Sequence, residues 1–126
     1  MENKASIKHL EFWVSDLDRS INFYEGIFRI IGWEKVEANG FSNGETKIYF
    51  IEQAVKLERT VGPRHLCFLA VSKEVVDEIA KFLSEVKAEI IRGPLESQYQ
   101  DRTSYTVDFR DPDGYIIEVA TKSKSL

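Results

Sequence analysis

Two short stretches decide the fold: His9–Phe12 has the sequence HLEF and His65–Phe68 has the sequence HLCF. Each opens a segment rich in β-branched, aromatic and aliphatic residues, which is typical of a strand. In both cases an apolar pattern with helical spacing follows, and further strand segments come after it. The order β-α-β-β-β is therefore predicted twice, which favours an α+β protein built from two repeated modules.

Capping signals place the two helices. The segment Ser15–Asp18 matches the Ser-x-x-acid pattern that satisfies the free amides at a helix start, and Gly32 ends that helix. Ser72 is predicted to cap the second helix. Each helix has one apolar stripe, so each is expected to pack one face against its own strands.

Gly-Pro pairs divide the rest of the chain. Gly62–Pro63 separates the modules, and Gly93–Pro94 is predicted to be a turn that ends a strand. We expect a single domain over residues 1–126. Within it, the first module covers about 5–57 and the second about 62–121.

Composition excludes several classes of function. The chain has 17 Lys and Arg against 21 Asp and Glu, a formal charge of −4, and no basic run that would follow a phosphate backbone. No apolar stretch is long enough for a membrane helix, and Met1–Lys4 lacks an apolar signal core. We therefore expect a cytoplasmic protein that binds neither nucleic acid nor membrane. The lone Cys67 excludes an internal disulfide.

The two histidines of the chain occupy matching positions. His9 and His65 each lie near the start of the first strand of a module, so packing of the modules side by side would bring their rings together. Glu118 lies in an apolar strand segment, where burial of an unpartnered carboxylate is costly. Metal ligation by the three residues would explain the pattern. The alternative is that both histidines make structural hydrogen bonds and that Glu118 faces solvent.

Three stretches in order along the chain resemble the vicinal oxygen chelate superfamily. They are His9–Tyr24, Gly62–Phe68 and Asp111–Glu118. This superfamily includes glyoxalase I, extradiol dioxygenases, fosfomycin-resistance proteins and bleomycin-resistance proteins. The resemblance implies two paired βαβββ modules that form an open, cup-shaped mixed sheet, with the helices outside and a metal inside.

The resemblance also implies a ligand set. His9, His65 and Glu118 match three of the superfamily's metal-ligand positions. The fourth position of glyoxalase I falls near Ile48 or Tyr49, and neither side chain is an ordinary ligand of that kind. Two imidazoles and one carboxylate favour Fe(II) or Mn(II), with Zn, Ni or Co as further possibilities. Open metal positions would bind two adjacent oxygens of a substrate.

Strand alternation supplies candidate catalytic residues. If His9 points inward, Glu11 shares its face, and if Asp111–Gly114 is the hairpin turn, Tyr105 shares the face of Glu118. Glu11 or Tyr105 would then be the acid or base near the metal, because proton transfer needs a group within hydrogen-bond reach. A purely structural hydrogen bond is the alternative for each.

Three further residues are candidates for the substrate pocket. Trp13 and Phe50 are predicted to shape an apolar wall, and Cys67 is predicted to lie beside His65. Nothing in the sequence indicates the lowered thiol pKa that a cysteine nucleophile requires. Cys67 is therefore interpreted as a packing residue of the pocket.

Two functions from different classes follow. The first is a metal-dependent enzyme acting on a small molecule with vicinal oxygens, as a dioxygenase, lyase or isomerase. The second is a metal-free protein of the bleomycin-resistance type that sequesters a ligand without chemistry. A homodimer is expected from the resemblance in either case, and the sequence leaves the substrate open.

Overall fold

The computed structural model describes residues 4–55 and 65–125. It divides into two compact units, Met1–Val55 and Lys56–Leu126. Both follow the predicted order β-α-β-β-β, which confirms the α+β class and the two modules. The Gly62–Pro63 boundary lies outside the described residues. Neither described helix is long and apolar enough to cross a membrane.

The first unit is a four-stranded mixed sheet with one helix. Its strands have the spatial order β1-β4-β3-β2, with β1 and β4 parallel and the other neighbours antiparallel. The bounds are β1 His9–Val14, α1 Leu17–Ile31, β2 Glu34–Glu37, β3 Gly40–Ser42 and β4 Lys47–Glu52. Its core consists of buried apolar side chains of α1 and the sheet: Val14, Ile21, Phe23, Tyr24, Ile27, Phe28, Phe41, Ile48 and Phe50.

The second unit repeats this plan with longer strands. The order is β5-β8-β7-β6, with β5 and β8 parallel and a short β9 beside β7. The bounds are β5 Leu66–Ala70, α2 Lys73–Glu85, β6 Ile90–Tyr99, β7 Arg102–Arg110, β8 Ile116–Thr121 and β9 Lys124–Ser125. Helix α2 packs against this sheet. The core includes Phe68, Val76, Ile79, Leu83, Val107, Phe109, Ile117 and Val119.

The helix ends follow the predicted chemistry with one correction. The cap of α1 is Asp16 rather than Ser15: Asp16 is the extended residue, and its carboxylate accepts a hydrogen bond from the Arg19 amide at 3.1 Å. Gly32 ends α1 in the left-handed region, at a φ of 91°. The hydroxyl of Ser72 accepts from the Val75 amide, as predicted.

The prediction of a turn at Gly93–Pro94 was wrong. Both residues lie inside β6, where the pairing with β7 shifts register between Arg92 and Leu95. An irregularity of this kind accommodates Pro, which has no amide to donate, and Gly93, which has a φ of 94°. A Cβ on Gly93 would lie 2.4 Å from the carbonyl oxygen of Thr106, so only glycine fits there.

The hairpin between β7 and β8 is one residue longer than predicted. Arg110 pairs with Ile116, so the connection includes Tyr115 as well as Asp111–Gly114. The carboxylate of Asp111 accepts hydrogen bonds from the Asp113 and Tyr115 amides, both at 2.9 Å. Because side chains alternate along a strand, this extra residue changes which β7 residues share a face with Glu118.

Candidate functional site

The face of the first sheet that points away from α1 presents polar and aromatic side chains. His9, Glu11 and Trp13 alternate along β1 with residues that face the core, as the sequence predicted. On β4, Lys47 lies opposite His9 and Tyr49 lies opposite Glu11. We call this side of the sheet the open face of the first unit.

A hydrogen-bonded trio lies at the centre of this face. Glu11 accepts from the indole N–H of Trp13 at 2.6 Å and from the phenol of Tyr49 at 2.9 Å, using a different carboxylate oxygen for each bond. Both donors are neutral, so neither neutralises the charge of Glu11. Trp13 is 51% exposed despite this bond. Glu11 therefore fixes two aromatic rings on an accessible surface.

Tyr49 is held in its neutral form. Its hydrogen bond to Glu11 raises the pKa of the phenol, and desolvation and the negative charge of Glu11 act in the same direction. The ring lies 5.6 Å from the ring of His9 and accepts the ammonium of Lys47 over its face. Tyr49 is one of the two residues near which the resemblance places the fourth ligand of glyoxalase I, and here its phenol is a hydrogen-bond donor.

Phe50 lies on the other side of the sheet. Its side chain is fully buried, 4.6 Å from the ring of Tyr24 and 5.5 Å from that of Phe12. The predicted pocket-wall position is corrected accordingly: along β4 the apolar Ile48 and Phe50 face α1, whereas Tyr49 faces away from it. The alternation of polar and apolar residues in this strand was the signal for that assignment.

The second unit has its own open face, which contains the other two predicted ligands. His65 Nε2 lies 3.1 Å from Glu118 Oε1. Glu118 is 17% exposed and His65 is 37% exposed, so the pair is reachable from solvent but partly shielded. Glu118 lies opposite Cys67 on β5 and opposite Asp108 on β7.

Polar contacts surround the Glu118 carboxylate. Its second oxygen, Oε2, accepts a hydrogen bond from the hydroxyl of Thr106 at 2.6 Å. The neighbouring carboxylate, Asp108, forms an ion pair with the guanidinium of Arg92 at 3.3 Å. Arg92 also donates to the hydroxyl of Ser97. The second open face is thus a continuous polar network.

Cys67 lies within this network as a protonated thiol. Burial raises its pKa to about 12, and the negative charge of Glu118 contributes in the same direction. A thiol with that pKa is a poor nucleophile at neutral pH. Cys67 is exposed in the structure, so its interpretation as a packing residue of the pocket stays a prediction.

The structure separates Tyr105 from Glu118. The phenol of Tyr105 donates to Asp77 of α2 at 2.6 Å, so the ring lies on the helix side of the sheet. This hydrogen bond raises the pKa of Tyr105. The expectation of a shared face was wrong because the β7–β8 connection is one residue longer than the Asp111–Gly114 turn on which it depended.

The donor chemistry of the second unit suits a metal ion. His65 Nε2 and Glu118 Oε1 are a nitrogen and an oxygen ligand of the types that divalent transition metals accept. Two ligands each about 2.1 Å from a metal and at right angles would lie about 3 Å apart, which is close to their spacing. Among the described residues, 4–55 and 65–125, no three His, Cys, Asp or Glu side chains form a group that could hold a metal ion.

Sequence reasoning did not find Thr106 or Asp108. Both lie on β7 on the side of Glu118, which became clear only from the strand register. Thr106 is also completely buried, although threonine is usually exposed. The signal in the sequence was the alternation of side chains along β7. It shows which β7 residues share the face of Glu118 only when the length of the hairpin connection is known.

Comparison with known proteins identifies the family. The sequence model of the "Glyoxalase/Bleomycin resistance protein/Dioxygenase superfamily" matches residues 6–119. The chain belongs to this superfamily. It is 32% identical over 124 residues to the metallothiol transferase FosB of Lysinibacillus sphaericus, with 92% of this chain and 82% of the relative covered. It is also 29% identical to virulence protein STM3117 of Salmonella typhimurium, covering 90% and 82%.

Solved structures share the fold. The crystal structure of STM3117 matches with a TM-score of 0.63 at 25% identity, covering 95% of this chain and 98% of that one. A glyoxalase/bleomycin resistance protein from Albidiferax ferrireducens matches with a TM-score of 0.77 at 20% identity, covering 92% and 98%. These similarities support the repeated βαβββ architecture.

Proposed function

We propose that this protein is a metal-dependent enzyme that acts on a small molecule with two adjacent oxygens. His65 and Glu118 would hold a divalent cation on the open face of the second unit, with Fe(II) or Mn(II) favoured. His9 is proposed as the third ligand because it matches the superfamily's ligand position. The observation that supports this best is the 3.1 Å spacing between His65 Nε2 and Glu118 Oε1.

The metal would polarise a substrate oxygen and stabilise the negative charge that develops there, an effect of several kcal/mol. The residues of the chain have separate tasks. Glu118 supplies negative charge next to the cation, and His65 supplies a neutral nitrogen donor. The Trp13 indole is proposed as an apolar wall for the substrate.

Glu11 remains a candidate acid or base, with one constraint from its contacts. Both of its oxygens already accept hydrogen bonds, from Trp13 and Tyr49. A proton from substrate would therefore have to reach an oxygen that is already engaged. The Tyr49 phenol donates a hydrogen bond to that carboxylate. We therefore propose that a substitution of Glu11 changes the position of the Tyr49 ring.

The first experiment is elemental analysis of the protein after anaerobic loading with Fe(II) or Mn(II). We expect about one metal per chain in the wild type and strongly reduced metal in His65→Ala, His9→Ala and Glu118→Gln. Glu96→Gln is the matched control, since Glu96 is an exposed carboxylate of the same sheet. Equal metal content in Glu118→Gln and wild type would contradict the proposal.

Among reaction types, thiol transfer is the first to screen. Metallothiol transferases named FosB are among the similar proteins, at 32% and 31% identity in two cases. In such a transfer the thiol sulfur would form a bond to an epoxide carbon while the carbon–oxygen bond opens, and the thiol proton would end on the released oxygen. Catechols and 2-oxoaldehyde–thiol adducts test the dioxygenase and the isomerase or lyase alternatives. Turnover of a thiol with an epoxide, lost in Glu118→Gln, would decide for transfer.

A metal-free binding protein is the second candidate, because the superfamily includes bleomycin-resistance proteins. Loading without any metal uptake, combined with ligand binding that survives Glu118→Gln, would favour this function. We also propose that the chain is a single domain and a homodimer. One calorimetric unfolding transition and a solution mass of twice the 14.5 kDa chain would support both points.

A further inference from the structure

We infer that Thr106 is a positioning residue that orients the Glu118 carboxylate and leaves Oε1 as its ligand oxygen. The inference rests on the proposed function, because it concerns how Glu118 would bind a metal. It begins from the 2.6 Å hydrogen bond that the Thr106 hydroxyl donates to Glu118 Oε2. Outer partners of this kind fix the orientation of metal ligands in many proteins.

The direction of the hydroxyl proton follows from the distances. Thr106 Oγ1 has three acceptors in range: Glu118 Oε2 at 2.6 Å, the Val119 carbonyl at 3.3 Å and Asp108 Oδ1 at 3.4 Å. A hydroxyl has one proton to donate. Only the contact with Glu118 has the length of a strong bond to a carboxylate, about 2.5–2.7 Å. The proton therefore lies on the line to Oε2.

Burial makes this arrangement rigid. Thr106 has no exposed surface, and its β-branched side chain has few alternative rotamers. Water cannot easily replace its hydroxyl next to Oε2. Loss of the hydroxyl would leave a partly buried carboxylate oxygen without its donor, and the carboxylate could then rotate.

The charges around Glu118 also favour this orientation of its carboxylate. Asp108 lies directly opposite Glu118 on the neighbouring strand, and two facing carboxylates repel each other. The ion pair with Arg92 balances the charge of Asp108. The hydroxyl of Thr106 lies between the two acids and bonds to the one beside His65. Glu118 thereby keeps one oxygen engaged and directs the other towards the histidine.

The test measures the affinity of the protein for Mn(II) and Co(II) by equilibrium titration, without substrate. We expect Thr106→Val to weaken binding by about 10–100-fold, the range typical of outer partners of metal ligands. Thr106→Ser retains the hydroxyl and should stay within about threefold of the wild type if the hydroxyl is the cause. Thr103→Val, on the same strand but on its other side, is the matched control.

The outcomes are distinct. Wild-type affinity in a folded Thr106→Val protein would overturn the inference and leave the proposed function intact. Equal weakening in Thr106→Ser and Thr106→Val would also overturn it, because the hydroxyl would not be responsible. If Thr106→Val fails to fold, Thr106→Ala lacks the same hydroxyl and is expected to weaken binding as much. A wild type that binds neither metal overturns both the proposed function and this inference.

Discussion

The two units share the same order of strands, but the carboxylate of the open face lies on different strands. It is Glu11 on β1 in the first unit and Glu118 on β8 in the second. Two residues after the histidine of β1 comes Glu11, which pairs across the sheet with Tyr49. Two residues after His65, which directly precedes β5, comes Cys67, which pairs with Glu118. The carboxylate lies on the first strand in one unit and on the last core strand in the other. Tyr49 is therefore the counterpart of Glu118.

This exchange separates the chemistry of the two open faces. In the first unit the carboxylate is engaged by two neutral donors, which leaves an aromatic surface with a fixed negative charge. In the second unit the carboxylate has one oxygen bonded to Thr106 and the other beside an imidazole. Repetition of a structural module thus preserves the scaffold while the residues at matched positions take different tasks.

The largest expected effect concerns a fully buried ring in the core of each unit, Phe50 on β4 and Phe109 on β7. Phe50→Ala removes a fully buried side chain and should lower the free energy of unfolding by about 3–5 kcal/mol. Phe109→Ala in the second unit should cost a similar amount. Denaturant unfolding measures both. A change under 1 kcal/mol in Phe50→Ala would argue against its place in the core.

The next largest effect compares the matched positions Tyr49 and Glu118. Glu118→Gln should weaken Mn(II) binding by more than about 100-fold, beyond the range for outer partners, because it removes a charged ligand. Tyr49→Phe should leave the affinity within about threefold, since Tyr49 is a donor to Glu11 rather than a ligand. Equal losses in the two variants would show that the positions are chemically equivalent after all.

A smaller effect compares the two helix caps. Asp16→Ala and Ser72→Ala should each lower the free energy of unfolding by about 1 kcal/mol, because each leaves an amide at the helix start without its acceptor. Asp16→Ala should cost somewhat more, since its negative charge also interacts with the helix dipole. Asp16→Asn keeps the acceptor and separates the two contributions. A larger loss in Ser72→Ala would contradict the ranking.

The smallest effect is the pH dependence of Tyr105. The hydrogen bond to Asp77 raises its pKa above the ordinary value near 10, and the charge of Glu96 adds to this. A raised folded-state pKa means that the stabilisation is complete below the unfolded pKa and is lost as pH rises through the folded one. Asp77→Asn should lower the phenol pKa, as followed by ultraviolet absorbance, with Glu78→Gln as control. An unchanged titration would contradict the assigned cause.

The sequence was sufficient for the architecture because the repeated pattern is strong in both halves. Alternation along β1 correctly placed His9, Glu11 and Trp13 on one face, and the apolar stripes correctly predicted both helices. The ligand role of His9, His65 and Glu118 stays a prediction. The contact between His65 and Glu118 depends on the parallel pairing of β5 with β8, which brings together residues far apart in the chain. Local sequence patterns do not predict that pairing.

The wrong predictions, for Tyr105 and for Gly93–Pro94, concern places where a single residue changes the pairing register of neighbouring strands. The sequence predicts the wrong face for Tyr105 because Tyr115 belongs to the connection between β7 and β8 rather than to the strand. The sequence predicts a turn at Gly93–Pro94 because both residues break regular structure, yet a local shift in pairing accommodates them within β6. Such details depend on contacts between strands, which local sequence patterns do not determine.

The length of the β7–β8 connection also limits how this protein can change by insertion and deletion. Removal of a single residue between Asp111 and Tyr115 would let β8 slide by one position against β7, and Glu118 would then point towards α2 while Val119 took its place. Loops usually tolerate length changes well. Here a one-codon deletion in the connection between β7 and β8 would exchange a carboxylate for a valine at the candidate site without altering any residue of the strand itself.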